Sequence, residues 1–310
     1  MTTFARYCLY PLLWLWTLAC IGVAAGRPEA MEGIVAVKGA GTVGVLLLFE
    51  WLTPLDARWG MTLRHVLRRD LPMAVVNGAF LAGTNYGLLA MSVAVAATGD
   101  GLLAGQPLLL QIVLGLVAFE ALQYTLHRAM HGGGTAVTRF LWRTHAIHHL
   151  PQQLYPVMHA VFHPVNALLV RIAVQLTPIW LFGFEPFAVF VTGSIVALHG
   201  TVSHLNVDMR MGWLNYVFVG PELHRLHHAA ATPAARNFAA ALSVFDLLFG
   251  TFQLPREQPA ALGLRTEDGY PGQHAPLALL AFPFRTPRLA AGREIRNGGA
   301  VPRTVAGEAG

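Results

Sequence analysis

Residues 101–149 read GLLAGQPLLLQIVLGLVAFEALQYTLHRAMHGGGTAVTRFLWRTHAIHH, and this stretch decides the fold. It opens with an uncharged run, residues 101–119, close to the roughly 20 apolar residues that a helix needs to cross a bilayer. Two histidine motifs follow at once, HxxxH at 127–131 and HxxHH at 145–149. The stretch therefore predicts a membrane-spanning helix that delivers a histidine cluster to the edge of the membrane.

The composition of the whole chain supports a bilayer location. Only 12% of the 310 residues are charged, against about 25% in a soluble globular protein, and 55% are hydrophobic. The mean hydropathy is +0.50. These values exclude an ordinary cytosolic enzyme, because too little polar surface is available to cover a water-soluble fold of this size.

Charge and cysteine usage exclude further classes. The net charge of +5 comes almost entirely from arginine, since Lys38 is the only lysine, and no basic stripe with interleaved aromatic residues is present. Nucleic acid is therefore not expected as a partner. Cys8 and Cys20 both lie in the first apolar run, which leaves no disulfide framework and no thiolate metal site.

Apolar runs predict an all-α, multi-span membrane bundle of about four to six helices, with a helical cap that holds the histidines. The runs are residues 7–26, 39–49 (which reaches span length by admitting Lys38 and Glu50), 71–99, 101–119, 167–184 and 186–202. The arginine-rich segments 56–70 and 127–143 favour the cytoplasmic side, and six spans with both termini inside satisfy these loops. The histidine site is then expected on the cytoplasmic side too.

Three regions are expected along the chain. Residues 1–70 hold N-terminal spans and a basic cytosolic loop, and residues 71–285 form the catalytic membrane domain. Residues 286–310 are rich in Ala, Gly, Pro and Arg, which predicts a disordered tail.

Histidine placement carries the chemistry. Twelve of the 14 histidines lie between His127 and His228, in HxxxH and two HxxHH motifs. Positions i, i+3 and i+4 converge on one side of a helix, so the imidazoles of each HxxHH motif remain close enough to bridge two ions. The eight candidate ligands are His127, His131, His145, His148, His149, His224, His227 and His228. Eight are too many for one tetrahedral ion and enough for two, and imidazole suits zinc, copper, iron and nickel.

The remaining histidines have other expected roles. His204, near the end of the last span, is a candidate ligand or substrate-site residue. His199 is a weaker candidate of the same kind. His159 and His163 suit interfacial packing or hydrogen bonding at least as well as metal ligation, and His65 and His274 suit solvated or headgroup-facing positions.

Alternative functions remain open at this point. A histidine-lined metal-binding protein or transporter would need polar residues inside several spans, and residues 71–119 offer few. A zinc-dependent membrane hydrolase would need a general-base carboxylate within its metal motif, which none of the three motifs supplies. A histidine-bound pair of metals at the membrane edge suits oxidation of a lipid C–H bond best.

The motifs resemble those of the fatty acid hydroxylase superfamily, also called the sterol desaturase family of membrane di-iron oxygenases. Matching features outside the eight histidines are Tyr124 before LHR, Leu141-Trp142, His163-Pro164, His204-Leu205-Asn206, Arg236-Asn237-Phe238, Phe245-Asp246 and Phe249-Gly250-Thr251. The resemblance covers roughly residues 70–285. It departs from the family at Phe238-Ala239, where Tyr-Gly is usual, at Phe245, where Trp is usual, and at Tyr155, in a segment that often offers Asn.

The resemblance implies a helical membrane core and a cytosolic helical cap holding two iron ions. Its implied ligands are the eight histidines with His204 as a ninth. Asp246 and Asn237, with Asp208 and Glu222, are expected to orient the imidazoles.

The implied reaction activates dioxygen with two electrons and hydroxylates or desaturates an unactivated C–H bond of a membrane lipid. The electrons come from a separate donor, such as a ferredoxin or a cytochrome b-type protein with its reductase. The implied location is the inner or plasma membrane.

Overall fold

A computed structural model of the chain describes residues 1–96, 101–230, 235–266 and 269–285. Its helices are α1 (Thr2–Tyr7), α2 (Leu9–Gly26), α3 (Met31–Leu52), α4 (Leu63–His65), α5 (Leu71–Ala96), α6 (Leu108–Met130), α7 (Ala136–His149), α8 (Pro164–Leu169), α9 (Thr177–Phe182), α10 (Pro186–Val202), α11 (Pro221–His227), α12 (Val244–Leu248) and α13 (Pro276–Ala281). Wider π-helical turns join α4 to α5 and α8 to α9. Across the described ranges the β-structure is limited to three isolated bridges, which confirms the predicted all-α class.

Four helical stretches are long and apolar enough to cross a membrane. They are Leu9–Gly26, Pro28–Leu52, Leu108–Met130 and Pro164–Phe182. The apolar helix α10, at 17 residues, is shorter. The chain is therefore an integral membrane protein with a multi-span helical bundle, as its composition predicts.

The span expected over residues 101–119 has different limits in the structure. Helix α6 begins only at Leu108, after Pro107, and continues to Met130. The preceding residues form turns in which Gly105 adopts a positive φ of 71°, a conformation that favours glycine. The expected turn around Asp100, at residues 97–100, and the expected tail over residues 286–310 lie outside the described residues.

The N-terminal hairpin packs against α10, the helix that leads to His204. The buried Lys38 ammonium donates to the carbonyl of Ser194 (3.1 Å), which ties α3 to α10 inside the membrane region. At the end of α3, the Glu50 carboxyl accepts from the backbone N–H of Asn206 (3.4 Å). The hairpin of α2 and α3 therefore holds α10 and the following residues 204–206 in position.

The histidine motifs meet because several helices end at the same end of the bundle. His127 lies in the last turn of α6, with His131 just beyond it, and the 145–149 motif forms the last turn of α7. Helix α7 starts with a capping box in which Thr135 and Thr138 bind each other's backbone N–H groups. Because helix C-termini carry partial negative charge, this arrangement favours cations where the helices end.

Two buried carboxylates hold the loop that follows the third histidine motif. Glu120, in the middle of α6, accepts from the backbone N–H groups of Ala240, Ala241 and Leu242, each at 2.8 Å. Asp246 accepts from the N–H groups of Phe238 and Ala239, each at 2.9 Å. We name residues 235–242 the anchored loop; its conformation depends on these two carboxylates.

We predict that Glu120→Gln lowers the free energy of unfolding by about 2–3 kcal/mol, the usual cost of leaving buried N–H groups unpaired. In the variant, the glutamine NH2 group, itself a donor, would face backbone N–H groups that donate to the carboxylate in the wild type. Thermal unfolding of the protein in detergent measures the change. Glu257→Gln, at an exposed position, is the matched control, and equal midpoints for the two variants would contradict the anchoring role.

Candidate metal centre

Nine histidines converge in two groups whose ligand atoms lie within 4.8 Å of one another. The five-histidine group is His127, His131, His145, His149 and His227, and the four-histidine group is His148, His204, His224 and His228. Both groups consist of imidazoles alone. All eight sequence-predicted ligands and His204 are thus brought together, and their binding of metal stays a prediction.

The strongest indication of a cation is the contact between His148 and His204. Their Nε2 atoms lie 3.1 Å apart. The Nδ1 of His148 donates to the carbonyl of Val161 (3.2 Å), and the Nδ1 of His204 donates to the carbonyl of Gly200 (3.1 Å). Neutral rings with the proton on Nδ1 carry lone pairs on both Nε2 atoms. Two lone pairs facing each other repel unless a positive ion lies between them.

The same spacing continues through the four-histidine group. The Nε2 of His224 lies 3.0 Å from that of His204 and 3.0 Å from that of His228. Two nitrogens bound to one ion at about 2.1 Å lie about 3.0 to 3.4 Å apart, for bond angles of about 90° to tetrahedral. The group therefore has the dimensions of the ligand set of a single transition-metal ion.

The five-histidine group is oriented by oxygen acceptors on its outer side. The Nδ1 atoms of His127 and His227 donate to the carbonyls of Phe238 (2.6 Å) and Arg236 (2.7 Å) in the anchored loop. The Nε2 atoms of both rings are buried and have no hydrogen-bond partner, and the ring centroids are 4.5 Å apart. Both rings thus present a lone pair to a common centre, as ligands of one ion would.

The two histidine groups are in direct contact through stacked rings. His149 of the five-histidine group stacks on His228 of the four-histidine group, with ring centroids 4.2 Å apart and an interplanar angle of 21°. His145 and His148, from the two groups, are 5.6 Å apart by the same measure. Two ions in these groups would be neighbours, which suits a dinuclear centre.

Burial keeps these imidazoles neutral. It lowers the pKa of His145 to about 3, and it holds the pKa values of His148, His149 and His204 well below the usual value near 6.5. The third motif behaves alike: burial keeps the pKa of each of its three histidines low. Neutral imidazole is the form that binds metal, so the site needs no deprotonation at neutral pH.

Asp246 and Asn237, the side chains expected to orient the imidazoles, contact backbone groups rather than the imidazoles themselves. Asp246 binds backbone N–H groups, and the Asn237 amide donates to the carbonyls of Leu223 (3.0 Å) and Gln253 (2.9 Å). Both side chains shape the anchored loop, whose carbonyls then accept from His127 and His227. A carbonyl suffices as acceptor, because orienting a ring needs only a fixed oxygen.

Asp208 and Glu222 serve other contacts. Asp208 pairs with Arg6 and with Arg210. Glu222 accepts from the backbone N–H of Met211 (2.9 Å) and the amide of Asn215 (2.7 Å). Both carboxylates therefore organise the segment between α10 and α11.

Three further histidines, for which the sequence left metal ligation open, lie outside both groups. The Nε2 of His163 donates to the carbonyl of Leu280 (3.1 Å), and its Nδ1 accepts from the N–H of Val165 at the start of α8. The Nδ1 of His199 donates to the carbonyl of Val219 (3.1 Å), and its ring stacks on Phe218. His159 lies beside His204, with ring centroids 5.2 Å apart, outside both groups.

A tightly packed strap, residues 261–264, closes one side of the centre. Behind it lies a cavity of about 30 Å³, bordered by His131, His149, His227 and His228 and by Gly263 and Leu264 of the strap. Gly263 has a φ of 84°, and a Cβ there would come within 2.5 Å of the Pro151 carbonyl oxygen. Glycine is required here because the strap crosses directly over the end of the second motif.

Sequence reasoning missed Asn166 and Glu120. The Nδ1 of His145 donates to the Asn166 side-chain oxygen (3.0 Å), and Asn166 is buried. Asn166 lies two residues after the His163-Pro164 motif, and that motif gave no indication that it holds an imidazole. Glu120 did carry a signal: it is a lone carboxylate in an apolar helix, seven residues before His127 and on the same helix face.

We predict that His148→Ala and His227→Ala abolish turnover and leave membrane insertion nearly unchanged. Each removes a ligand from a different group, so each variant should lose one ion and retain the other. Metal analysis of the purified protein measures the loss, with His163→Ala as a control histidine outside both groups. Near-normal metal content and activity in either ligand variant would contradict the assignment.

We predict that Asn166→Ala weakens metal binding by the five-histidine group by about 10–100-fold, the usual effect of removing a partner of a ligating imidazole. Titration with a competing chelator measures the affinity. The four-histidine group serves as the internal control, and equal loss from both groups would indicate general unfolding instead.

Comparison with known proteins supports the reading of these motifs. A model of the fatty acid hydroxylase family matches residues 112–251. The ornithine lipid hydroxylase OlsE of Rhizobium tropici is 34% identical over 254 residues, 78% of this chain and 73% of that protein. The alkylglycerol monooxygenase of Homo sapiens is 25% identical over 143 residues, 44% of this chain and 29% of that protein. No solved structure matches the chain.

These relatives confirm the resemblance inferred from the motifs. They also confirm, at the level of the family, the prediction of a membrane-bound lipid hydroxylase and therefore of an oxidoreductase. With 34% identity over most of both chains, the relation to OlsE extends beyond the histidine motifs and includes membrane helices. The chain belongs to the fatty acid hydroxylase family.

Proposed function

We propose that this protein inserts one oxygen atom of dioxygen into an unactivated C–H bond of a membrane lipid, using two iron ions held by the nine histidines. The observation that carries the proposal is the pair of adjacent imidazole groups with lone pairs turned inward. In balance, the lipid, dioxygen, two electrons and two protons give the hydroxylated lipid and water. A donor protein such as a ferredoxin or a cytochrome b-type protein supplies the electrons.

The donor set fits iron, because imidazole is among its ordinary ligands. Bound iron would supply the reductive activation of dioxygen. The chain's own residues hold it: the imidazoles ligate, and Asn166 and the carbonyls of Val161, Arg236 and Phe238 fix the ring orientations. Since these ligands are neutral, they would leave the positive charge of bound ions uncompensated.

Limiting the access of water is the second task of the protein. Gly263 lets the strap lie flat over the end of the second motif, and the cavity behind it, about 30 Å³, has room for few water molecules. A covered site with little water would limit side reactions of the chemistry that bound iron supplies.

We place the centre on the cytoplasmic side of the inner or plasma membrane, with both termini on that side. The support is the arginine-rich character of residues 56–70 and 127–143, which flank the centre along the chain. A cytoplasmic site lies within reach of soluble electron donors.

The experiment that tests the proposal uses ¹⁸O2. The purified protein is incubated with lipid extract, reductant and a ferredoxin system, and the lipids are analysed by mass spectrometry. We expect a lipid product heavier by one ¹⁸O atom, formed only with oxygen and reductant, and protein that retains iron. His148→Ala is the matched inactive control. Absence of labelled product from protein that retains two zinc ions would overturn the proposal in favour of a hydrolase or metal-binding role.

A further inference from the structure

A cleft of about 410 Å³ lies beside the metal centre. It is lined by Leu150, Gln152, Leu264, Gly272, Gln273 and His274, among others. Its volume falls in the range of small-ligand pockets. We name it the polar cleft; the catalytic groups described above leave its role open.

The polar cleft and the metal centre are separated by a single layer of side chains. Leu264 borders both this cleft and the small cavity behind the strap. Leu150 directly follows the metal-group residue His149. A ligand in the polar cleft would therefore lie one residue away from the imidazoles.

A buried arginine fixes the polar side of the cleft. Arg69 is only 1% exposed, and it donates to the Gln273 side-chain oxygen (2.5 Å) and to Asp70 (2.7 Å). Because the oxygen of Gln273 is engaged by Arg69, its NH2 group is the part left to donate to a ligand. The lining thus offers a fixed hydrogen-bond donor.

Two stacked histidines lie on this side of the cleft, and two exposed arginines add positive charge near them. His65 and His274 stack with centroids 5.2 Å apart, and His65 Nδ1 and His274 Nε2 are buried without a hydrogen-bond partner. Burial, and then the positive charges of Arg69, Arg64 and Arg68, lowers the pKa of His274, while Asp70 acts in the opposite direction. The cleft therefore lies in a positive field that an anion would relieve.

The helical segment over residues 63–71 carries exposed leucines beside exposed arginines. Leu63, Leu67 and Leu71 are 73%, 53% and 51% exposed and recur every fourth residue, with exposed Arg64 and Arg68 on the adjacent stripe. The segment continues directly into the long apolar helix α5. Leucines and arginines at the start of such a helix suit the boundary between acyl chains and lipid phosphates.

We propose that the polar cleft binds the anionic polar head, a phosphate or carboxylate, of the lipid substrate. Arg64 and Arg68 attract the head, and His274 and the Gln273 amide bind it inside the cleft. The inference rests on the proposed function only in naming this lipid as the substrate.

The test measures binding without turnover, so that its outcome is separate from the ¹⁸O2 experiment. The purified enzyme in neutral detergent, without reductant, is titrated calorimetrically with dihexanoyl phosphatidylglycerol, dihexanoyl phosphatidylcholine and inorganic phosphate. We expect saturable binding of phosphatidylglycerol, about tenfold tighter than the binding of phosphatidylcholine or of free phosphate. This ratio corresponds to a difference in binding free energy of about 1.4 kcal/mol.

Matched variants locate the binding site. A Cβ at Gly272 or Gly134 meets nothing within 4 Å, so both accept a large side chain, and only Gly272 lines the cleft. We expect Gly272→Phe and the double variant Arg64→Gln/Arg68→Gln to lose binding at least tenfold, and Gly134→Phe to bind like the wild type.

Four results would overturn the proposal. The first two are equal affinities for phosphatidylglycerol and phosphatidylcholine, and equal affinities for phosphatidylglycerol and free phosphate. The third is unchanged binding of phosphatidylglycerol in Gly272→Phe. The fourth is an arginine double variant that binds phosphatidylglycerol normally but is reduced more slowly by ferredoxin. The last would assign the arginines to the donor protein.

Discussion

The facing lone pairs of His148 and His204, 3.1 Å apart in a buried site, are the constraint on which the rest of this structure depends. Such a contact is repulsive in the bare protein, so the fold must hold each ring from outside. It does so with oxygen acceptors: the carbonyls of Val161 and Gly200 engage the Nδ1 protons of these two rings. A centre that is preorganised in this way spends less binding energy on ordering its ligands, and it selects a cation over water.

The surrounding architecture keeps those rings fixed and covered. Helices α6 and α7 end at the centre, and the strap at Gly263 covers it. Both histidine groups consist of imidazoles alone. Buried carboxylates are present nearby, but Glu120 and Asp246 are directed at the backbone of the anchored loop and away from the two groups.

Much of this protein was predictable because its strongest signals are local. Apolar length predicts membrane-spanning helices, the histidine spacings predict eight convergent imidazoles, and the family resemblance implies His204 as a ninth. The start of α6 at Leu108 was missed because Pro107 and the turn before it are themselves apolar. Asn166 was missed because its role exists only through contact with His145, 21 residues away. The roles expected of Asp246 and Asn237 were placed one step too close, since spacing cannot distinguish a side chain that holds a ring from one that holds a loop.

By itself, the sequence determined that the chain lies in a membrane and that its imidazoles come in clusters, since both properties depend on neighbours within a few residues. Only the tertiary structure decided how the clusters divide. In each HxxHH motif the first and last histidines belong to one group and the middle histidine belongs to the other. His148 is thus separated from the two other histidines of its motif, and so is His227. At about 100° per residue, positions i and i+4 differ by about 40° around the helix, whereas i+3 lies on the other side of i. The packing of α6, α7 and α11 against one another then determines which rings meet. The spacing of residues within one motif carries no information about this packing, because the three motifs lie far apart in the chain.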